Sequence, residues 1–181
     1  MSKARDLANA STALGAVTAT ELAFVDGVTS SIQTQINTKA ASTTPTLTGP
    51  IVISPEERTT ISATAATGTV NFDASTQGVL YYTTNASANW TLNVRASSSA
   101  TLNSILAIAD AITVSFLVTN GSTAYYQTAF TIDGSAVTPK YSGGTAPASG
   151  NASSIDVYTY TIVKTADATF TVFGAGPIKY A

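Results

Sequence analysis

The sequence contains neither cysteine nor histidine. Without cysteine, the chain can form no disulfide and no thiolate metal site. Without histidine, it lacks the commonest general base and the commonest metal ligand, and it can build no Ser-His or Cys-His nucleophile pair. We therefore expect a protein that is not an enzyme and that has no catalytic residue, no metal site and no cofactor.

Charged residues are also scarce. They make up 10% of the chain, with a formal net charge of -2, so no basic patch large enough to neutralise nucleic-acid phosphates is expected. Long apolar runs are missing too, because the most apolar stretch, Ser104 to Val118, is interrupted by Asp110. A membrane span needs about 20 apolar residues. We expect no nucleic-acid partner and no membrane insertion.

The N-terminus lacks the apolar core of a secretory signal, so we expect synthesis in a cytoplasm without export by that route. Thr, Ser, Asn and Ala dominate in place of Lys and Glu. A surface of this composition is unusual for a free protein, whose solubility normally depends on charge. It suits a subunit that faces other subunits over much of its area.

Three segments follow one another along the chain. Residues 1–19 have no sustained helical or strand period, and we interpret them as an N-terminal anchoring arm. Residues 20–50 combine a short oligomerisation helix with a linker marked by Pro45, Gly49 and Pro50. In residues 51–181, apolar residues alternate with polar ones, which predicts a β domain.

The helix predicted at residues 20–40 carries a narrow seam of regularly spaced residues. Ser30 and Gln33, within this segment, match a capping box. The seam, which we predict to be the contact between copies, consists of Val25, Val28, Ile32, Gln35, Ile36 and Lys39. A helix this short is marginal alone. It needs either a bundle of several copies, which the Pro/Gly linker favours, or the surface of its own β domain.

The β domain is predicted to be an antiparallel β-sandwich of jelly-roll type, a knob behind the helix and arm. Strands are expected at Gly78 to Thr84, Asn89 to Ala96, Ala111 to Thr119, Thr123 to Asp133, Ser154 to Thr165 and Ala168 to Gly174, with others between residues 51 and 72. Turn dipeptides such as Asn120-Gly121 and Asp133-Gly134 separate them. Residues 101–110 are expected to form a short helix or turn between two strands.

Acidic residues after position 60 are single and widely spaced; they are Asp73, Asp110, Asp133, Asp156 and Asp167. Each is interpreted as a turn or strand-end residue whose side chain bonds nearby backbone. A pair of carboxylates for glycoside hydrolysis could still come together in space, since such residues need not be neighbours in sequence.

Aromatic residues are the remaining candidates for binding. Adjacent residues of a strand face opposite sides, so one of Tyr125 and Tyr126 can enter the core while the other lies on the surface. Trp90, Tyr125, Tyr126 and Tyr141 are therefore candidate surface-binding residues. An exposed tyrosine suits either a subunit interface, which we favour, or a sugar-binding surface.

The segment TELAFVDGVTSSIQTQINTKAAS (residues 20–42) resembles an element that recurs in tail-fibre and other fibrous structural proteins of tailed bacteriophages. The stretch NWTLNVRASSSATLNS (residues 89–104) and the text from ITVSFLVTNGST (starting at residue 112) to the C-terminus are similar to a module in virion proteins of marine phages and cyanophages. Typical fibres of this kind are much longer, and no shaft repeats appear between Lys39 and Ile51.

The resemblance implies a homotrimer located in the virion and assembled in the host cytoplasm. It further implies that the arm binds other virion proteins and that the knob contacts a host surface glycan or protein. The function expected is a short trimeric fibre or knob involved in host attachment. The alternative is a capsid decoration or cement protein that stabilises the shell, and a depolymerase fibre is a third possibility.

Overall fold

The computed structural model describes Lys3, Thr20 and residues 56–181. The chain divides into two units, Met1–Ile53 and Ser54–Ala181, and the fold reported below belongs to the second. Lys3 and Thr20 are helical. The remainder of the predicted arm, helix and linker lies outside the described residues, including the seam residues from Val25 to Lys39.

Residues 56–181 form ten strands and one short α-helix, which confirms the prediction of a mainly β fold. The strands are β1 (Thr59–Ala65), β2 (Gly68–Asp73), β3 (Val79–Thr84), β4 (Trp90–Arg95), β5 (Ala111–Asn120), β6 (Gln127–Ile132), β7 (Ser135–Ala136), β8 (Lys140–Tyr141), β9 (Ser154–Ala166) and β10 (Thr169–Tyr180). The helix α1 (Leu102–Ile105) bridges β4 and β5, as expected for residues 101–110. A 3₁₀ turn (Ser142–Gly144) follows β8.

The strands belong to two sheets. One has six strands in the order β1-β3-β5-β9-β10-β8, and the other has four in the order β2-β4-β6-β7. From β1 to β6 the chain changes sheet after every strand, so each strand lies beside the strand two before it and runs in the same direction. Of the eight pairings within residues 56–181, five are parallel. The other three, β5–β9, β9–β10 and β6–β7, are antiparallel.

The expected antiparallel, jelly-roll-like pairing is therefore wrong for most of the described strand pairs. Alternation of apolar and polar residues reports which side chains share a face of a strand. It does not report which strand lies next to which. The turn signal Asn120-Gly121, for example, precedes a crossing from β5 in one sheet to β6 in the other, and no hairpin forms there.

One buried core receives side chains from both sheets. Trp90, Leu92 and Val94, which alternate with polar residues along β4, are all buried. The Trp90 ring lies edge-on to Phe116 of β5 at 5.8 Å and to Tyr158 of β9 at 6.0 Å between ring centroids. Such edge-to-face packing is favoured by the quadrupoles of the rings. These contacts join the two sheets through one aromatic cluster.

The Asp133-Gly134 dipeptide forms the predicted tight turn between β6 and β7. Both residues have a positive φ, 52° for Asp133 and 82° for Gly134, which suits the turn type that joins twisted antiparallel strands. The Asp133 carboxylate also accepts hydrogen bonds from the backbone nitrogens of Leu102 (2.6 Å) and Asn103 (3.0 Å). This turn therefore fixes the start of α1 as well.

Candidate interaction surface

The outer face of the six-stranded sheet carries a row of apolar side chains that crosses five strands. Adjacent members are paired in register: Ile61 with Tyr81, Tyr81 with Leu117, Leu117 with Val157, and Val157 with Ile178. Because residues paired between neighbouring strands point to the same side of a sheet, these five side chains form one line. We call this line, Ile61–Tyr81–Leu117–Val157–Ile178, the apolar row.

The rest of this face is apolar or hydroxylated. On β5 and β9, Thr113 and Thr161 share a hydrogen bond between their Oγ1 atoms (3.2 Å). No charged residue points outward from β1, β3, β5, β9 or β10 in the part of the face that extends from the apolar row to this threonine pair. Lys140 of β8 lies at the margin, with its Nζ 6.0 Å from the centre of the Phe173 ring. The face can therefore lose water without desolvating a charge in its centre.

Exposure along the apolar row is greatest at its two ends. Ile61 is 68% exposed and Ile178 is 47% exposed, whereas the three members between them are half-buried by their neighbours on the sheet. Phe173 and Tyr180 of β10 are also largely exposed. A contiguous apolar patch of this kind on a protein surface marks an interaction site more often than scattered apolar residues do.

The outer face of the four-stranded sheet has the opposite character. Asn71, Asn93 and Thr131 lie side by side on β2, β4 and β6, and their side chains form a chain of hydrogen bonds of 2.8 Å each. In the next row, Arg95 Nε contacts Asp73 Oδ1 at 2.6 Å. The polar groups on this face are thus paired with one another while it faces solvent, so the two outer faces of the domain differ in chemistry.

The structure separates the four aromatic residues predicted for surface binding. Trp90 is 1% exposed, so the prediction that it contributes to a binding surface is wrong. Trp90 lies on the same side of β4 as Leu92 and Val94, and this side faces the core. Tyr125 and Tyr126 are both half-buried, whereas the sequence predicted one to be buried and the other exposed.

Tyr141 is half-buried at the end of β8 and is held by contact with Gly174 of β10. A Cβ atom on Gly174 would lie 2.9 Å from Tyr141 Cε1 and 2.8 Å from Tyr160 Cε1. Only a residue without a side chain lets both rings approach this closely. Tyr141 and Pro147 line two adjoining clefts at this edge of the domain, so part of the tyrosine stays accessible.

The acidic residues of the β domain are held by separate sets of partners. Asp73 pairs with Arg95, Asp133 binds the start of α1, and Asp167 accepts a hydrogen bond from Asn103 Nδ2 (3.0 Å). Within residues 56–181, Lys3 and Thr20, no three acidic side chains are close enough together to hold a metal ion.

Asp156 departs from the expectation that each aspartate lies in a turn or at a strand end. It lies inside β9 and is fully buried. Its carboxylate accepts hydrogen bonds from Asn120 Nδ2 (3.1 Å), Asn151 N (2.9 Å) and Asn151 Nδ2 (2.7 Å). These bonds tie β5 and the segment before β9 together. The sequence contained evidence for this burial, because Asp156 lies on the same side of β9 as Tyr158 and Tyr160.

Lys164, near the other end of β9, is buried in the same way. Its Nζ donates to the backbone oxygens of Asn103 (2.7 Å) and Leu106 (2.9 Å) and so satisfies one carbonyl of the short helix α1 and the carbonyl of the residue that follows it. Between these two charged residues, burial raises the pKa of Tyr158 and of Tyr160 well above the ordinary range of a tyrosine. The inner face of β9 is therefore structural throughout its length.

No protein family model matches this sequence, and neither does a curated protein or a solved structure. In the described part of the chain, no helix has the length and apolar content required to cross a bilayer. The apolar row and the face around it are the strongest candidate site in the described residues. Sequence reasoning missed this face. The residues on the other side of β9 from Tyr158 and Tyr160 include Ile155, Val157 and Val163, which are apolar as well.

Proposed function

We propose that this chain is a non-enzymatic structural protein of a phage virion, a short homotrimeric fibre or knob. The observation that supports this proposal most is the uncharged outer face of the six-stranded sheet, with its apolar row. Such a face leaves apolar area in water unless another surface covers it. The resemblance of residues 20–42 and of the β module to phage fibre proteins supplies the virion context.

In this proposal the knob is a sandwich of the two packed sheets, and its apolar face covers the same face of two other copies. Five strands at a spacing of about 4.8 Å give a face about 24 Å wide. Three such faces around a threefold axis leave each sheet about 7 Å from the axis, whereas sheets packed face to face lie about 5 Å from their common midplane. Side chains can fill this space.

A ring of four copies would leave each sheet about 12 Å from the axis, which opens a channel between faces of this width. The trimer is therefore the largest ring that apolar side chains of this size can close. A twofold pair would also cover the face, so the mass of the protein in solution is the measurement that decides between the two.

The other parts of the chain take separate roles in the proposal. Residues 1–19 anchor the trimer to other virion proteins, and residues 20–40 associate through the seam that contains Ile32 and Ile36. The polar face of each knob points outward, and half-exposed residues such as Tyr126 and Tyr141 contact a host surface glycan or protein. Three copies on one axis raise the effective concentration of such weak contacts.

The first experiment is light scattering on the full chain after size exclusion. We expect a mass of about 55 kDa, three times the chain mass of 18.4 kDa. Leu117→Asp places a carboxylate on the central strand of the apolar face, and we expect it to reduce the mass to that of one chain because the charge cannot be desolvated there. A wild-type mass of one chain would refute the trimer.

The matched control is Thr91→Asp, which adds the same charge to the central region of the opposite, polar face. We expect this variant to retain the mass of three chains. A double substitution in the seam, Ile32→Asp with Ile36→Asp, separates the contribution of the helix. If the seam variant dissociates and Leu117→Asp does not, the helix holds the trimer and the sheet face does not.

Location in the particle is tested by electron cryo-microscopy of purified virions. We expect the knob density on the tail or at another site of fibre attachment. Density at the centres of capsid capsomers would replace the fibre with the capsid decoration role.

A further inference from the structure

The two edges of the six-stranded sheet differ in a way that bears on how copies meet. At one edge, β1 (TTISATA) pairs with β3 in regular register from Thr59 to Ser62 and has a shift in register before Ala65. It contains no charge, no proline and no buried side chain. An edge strand of this kind is a ready template for another chain. Natural proteins usually blunt such edges with Lys, Pro or a very short strand, and β1 carries none of these devices.

At the opposite edge, β8 covers β10 at Phe173 and Gly174 alone. From Ala175 to Tyr180, β10 therefore has no outer neighbour among the strands of residues 56–181. The exposed apolar side chains of the sheet lie at these two edges: Ile61 on β1, and Phe173, Ile178 and Tyr180 on β10. Both edges thus expose apolar area. In β10 a shift in register at Gly176-Pro177 interrupts the exposed backbone between Ala175 and Ile178, and Lys179 follows, so the contact of this edge rests on its apolar side chains.

Ile61 and Ile178 are the two ends of the apolar row, so they lie at the same height along the strands. In a threefold assembly the contact between neighbours is heterologous, which means that one edge of a copy meets the other edge of the next. Rotation about an axis parallel to the strands preserves height. It would bring Ile61 of each protomer to Ile178 of the neighbouring protomer.

We propose that the β1 edge of each protomer docks on the uncovered β10 edge of the next, with Ile61 against Ile178. The three apolar rows then join into one closed ring around an axis that runs along the strands. This inference rests on the proposed trimer and adds the direction of the axis, the pair of edges and their register. The occupant of the β1 edge is a second copy of this chain, because continuity of the apolar row with the proposed interface selects it.

The absence of cysteine makes this contact directly testable by disulfide formation. We would introduce Ile61→Cys and Ile178→Cys together in the full chain and oxidise the protein. A disulfide forms readily only where the two Cα atoms lie about 4.4–6.8 Å apart. We expect covalent dimers and trimers on a non-reducing denaturing gel, and their conversion to monomers on reduction.

Two matched variants control for exposure and for register. Ile61→Cys with Phe173→Cys uses a residue of the same strand with nearly equal exposure, 49% against 47% for Ile178. Phe173 pairs with Thr161, whereas Ile178 pairs with Val157, four residues along β9, so the two positions differ in height by about 13 Å. Ile61→Cys with Ile108→Cys tests random collision, since Ile108 is 62% exposed and lies outside the strands. We expect neither control to cross-link.

The outcomes separate this inference from the function on which it rests. A wild-type mass of one chain refutes both. A mass of three chains in the Ile61→Cys, Ile178→Cys variant without cross-linking refutes the edge contact and leaves the trimer standing. Covalent dimers from Ile61→Cys alone would show β1 pairing with β1 about a twofold axis, and stronger cross-linking to Phe173→Cys would show a different register; either result overturns the proposed ring.

Discussion

Asp156 offers the sharpest test of how the β domain is held together. The fully buried carboxylate accepts three hydrogen bonds, from Asn120 Nδ2 and from the backbone and side-chain nitrogens of Asn151, at 2.7–3.1 Å. Asp156→Ala removes the acceptor and leaves these donors without it. An unsatisfied buried donor costs about 1–3 kcal/mol.

Two features reduce the total below the sum of three full penalties. Asn120 Nδ2 keeps a second acceptor, the backbone oxygen of Tyr125 (3.0 Å), and the half-buried Asn151 can regain water. The substitution also removes the cost of burying a charge. We therefore expect Asp156→Ala to lower the free energy of unfolding by about 2–4 kcal/mol. Asp156→Asn, which keeps one acceptor oxygen, should cost about half as much.

The measurement is urea unfolding at fixed protein concentration, followed by circular dichroism. A loss of about 3 kcal/mol should also lower Tm by roughly 6–12 °C for a domain of this size. Asp110→Ala is the control, since its exposed carboxylate accepts a single bond from Ala107 N (3.0 Å) and should change stability by less than about 1 kcal/mol. If Asp156→Ala is as stable as wild type, the hydrogen-bond network contributes nothing, and the reasoning from burial is refuted.

Three further predictions concern the same core. Gly174→Val should displace the rings of Tyr141 and Tyr160 and destabilise the domain by about 1–3 kcal/mol, with a change in near-ultraviolet circular dichroism; an unchanged spectrum would contradict the close packing. Lys164→Met should cost about 2–3 kcal/mol in urea unfolding because two carbonyls near α1 lose their donor, and an unchanged unfolding midpoint would contradict this. Burial raises the pKa of Tyr158 and Tyr160, so unfolding releases their protons above a pH of about 10. The contribution of these two tyrosines to stability should be fully present below that pH and should fall above it by up to about 2.7 kcal/mol per pH unit. Ionisation of both tyrosines in the folded protein near a pH of about 10 would contradict the prediction.

Strand positions were predictable from the sequence because alternation is a local property. Trp90, Leu92 and Val94 show the pattern in β4, and the structure buries all three. Turn chemistry was equally informative where a turn is self-contained: Asp133 and Gly134 adopt the left-handed conformations that their dipeptide favours. In both cases the deciding interactions lie within a few residues of one another.

Strand partners were not predictable because they depend on where the chain goes between strands. The direction of β3 beside β1 follows from the crossing through β2 in the opposite sheet. The same limit hid the candidate surface, because Ile61, Leu117 and Ile178 are far apart in sequence and become one line only through register. Trp90 is buried because it lies on the same side of β4 as the apolar residues Leu92 and Val94. An aromatic residue of a strand should therefore be predicted at a surface only when it lies on the side opposite to the buried apolar residues.

The alternation of β1 to β6 between the sheets makes the domain modular. Each circuit of the chain adds one strand to the apolar face and one to the polar face, so a duplicated circuit would lengthen both faces without disturbing either pattern. One additional strand would widen the apolar face by about 4.8 Å and, in the proposed trimer, move each sheet about 1.4 Å away from the threefold axis. Growth by duplication would thus require larger side chains at the axis of the proposed trimer, so the number of circuits would limit which residue types can fill that space.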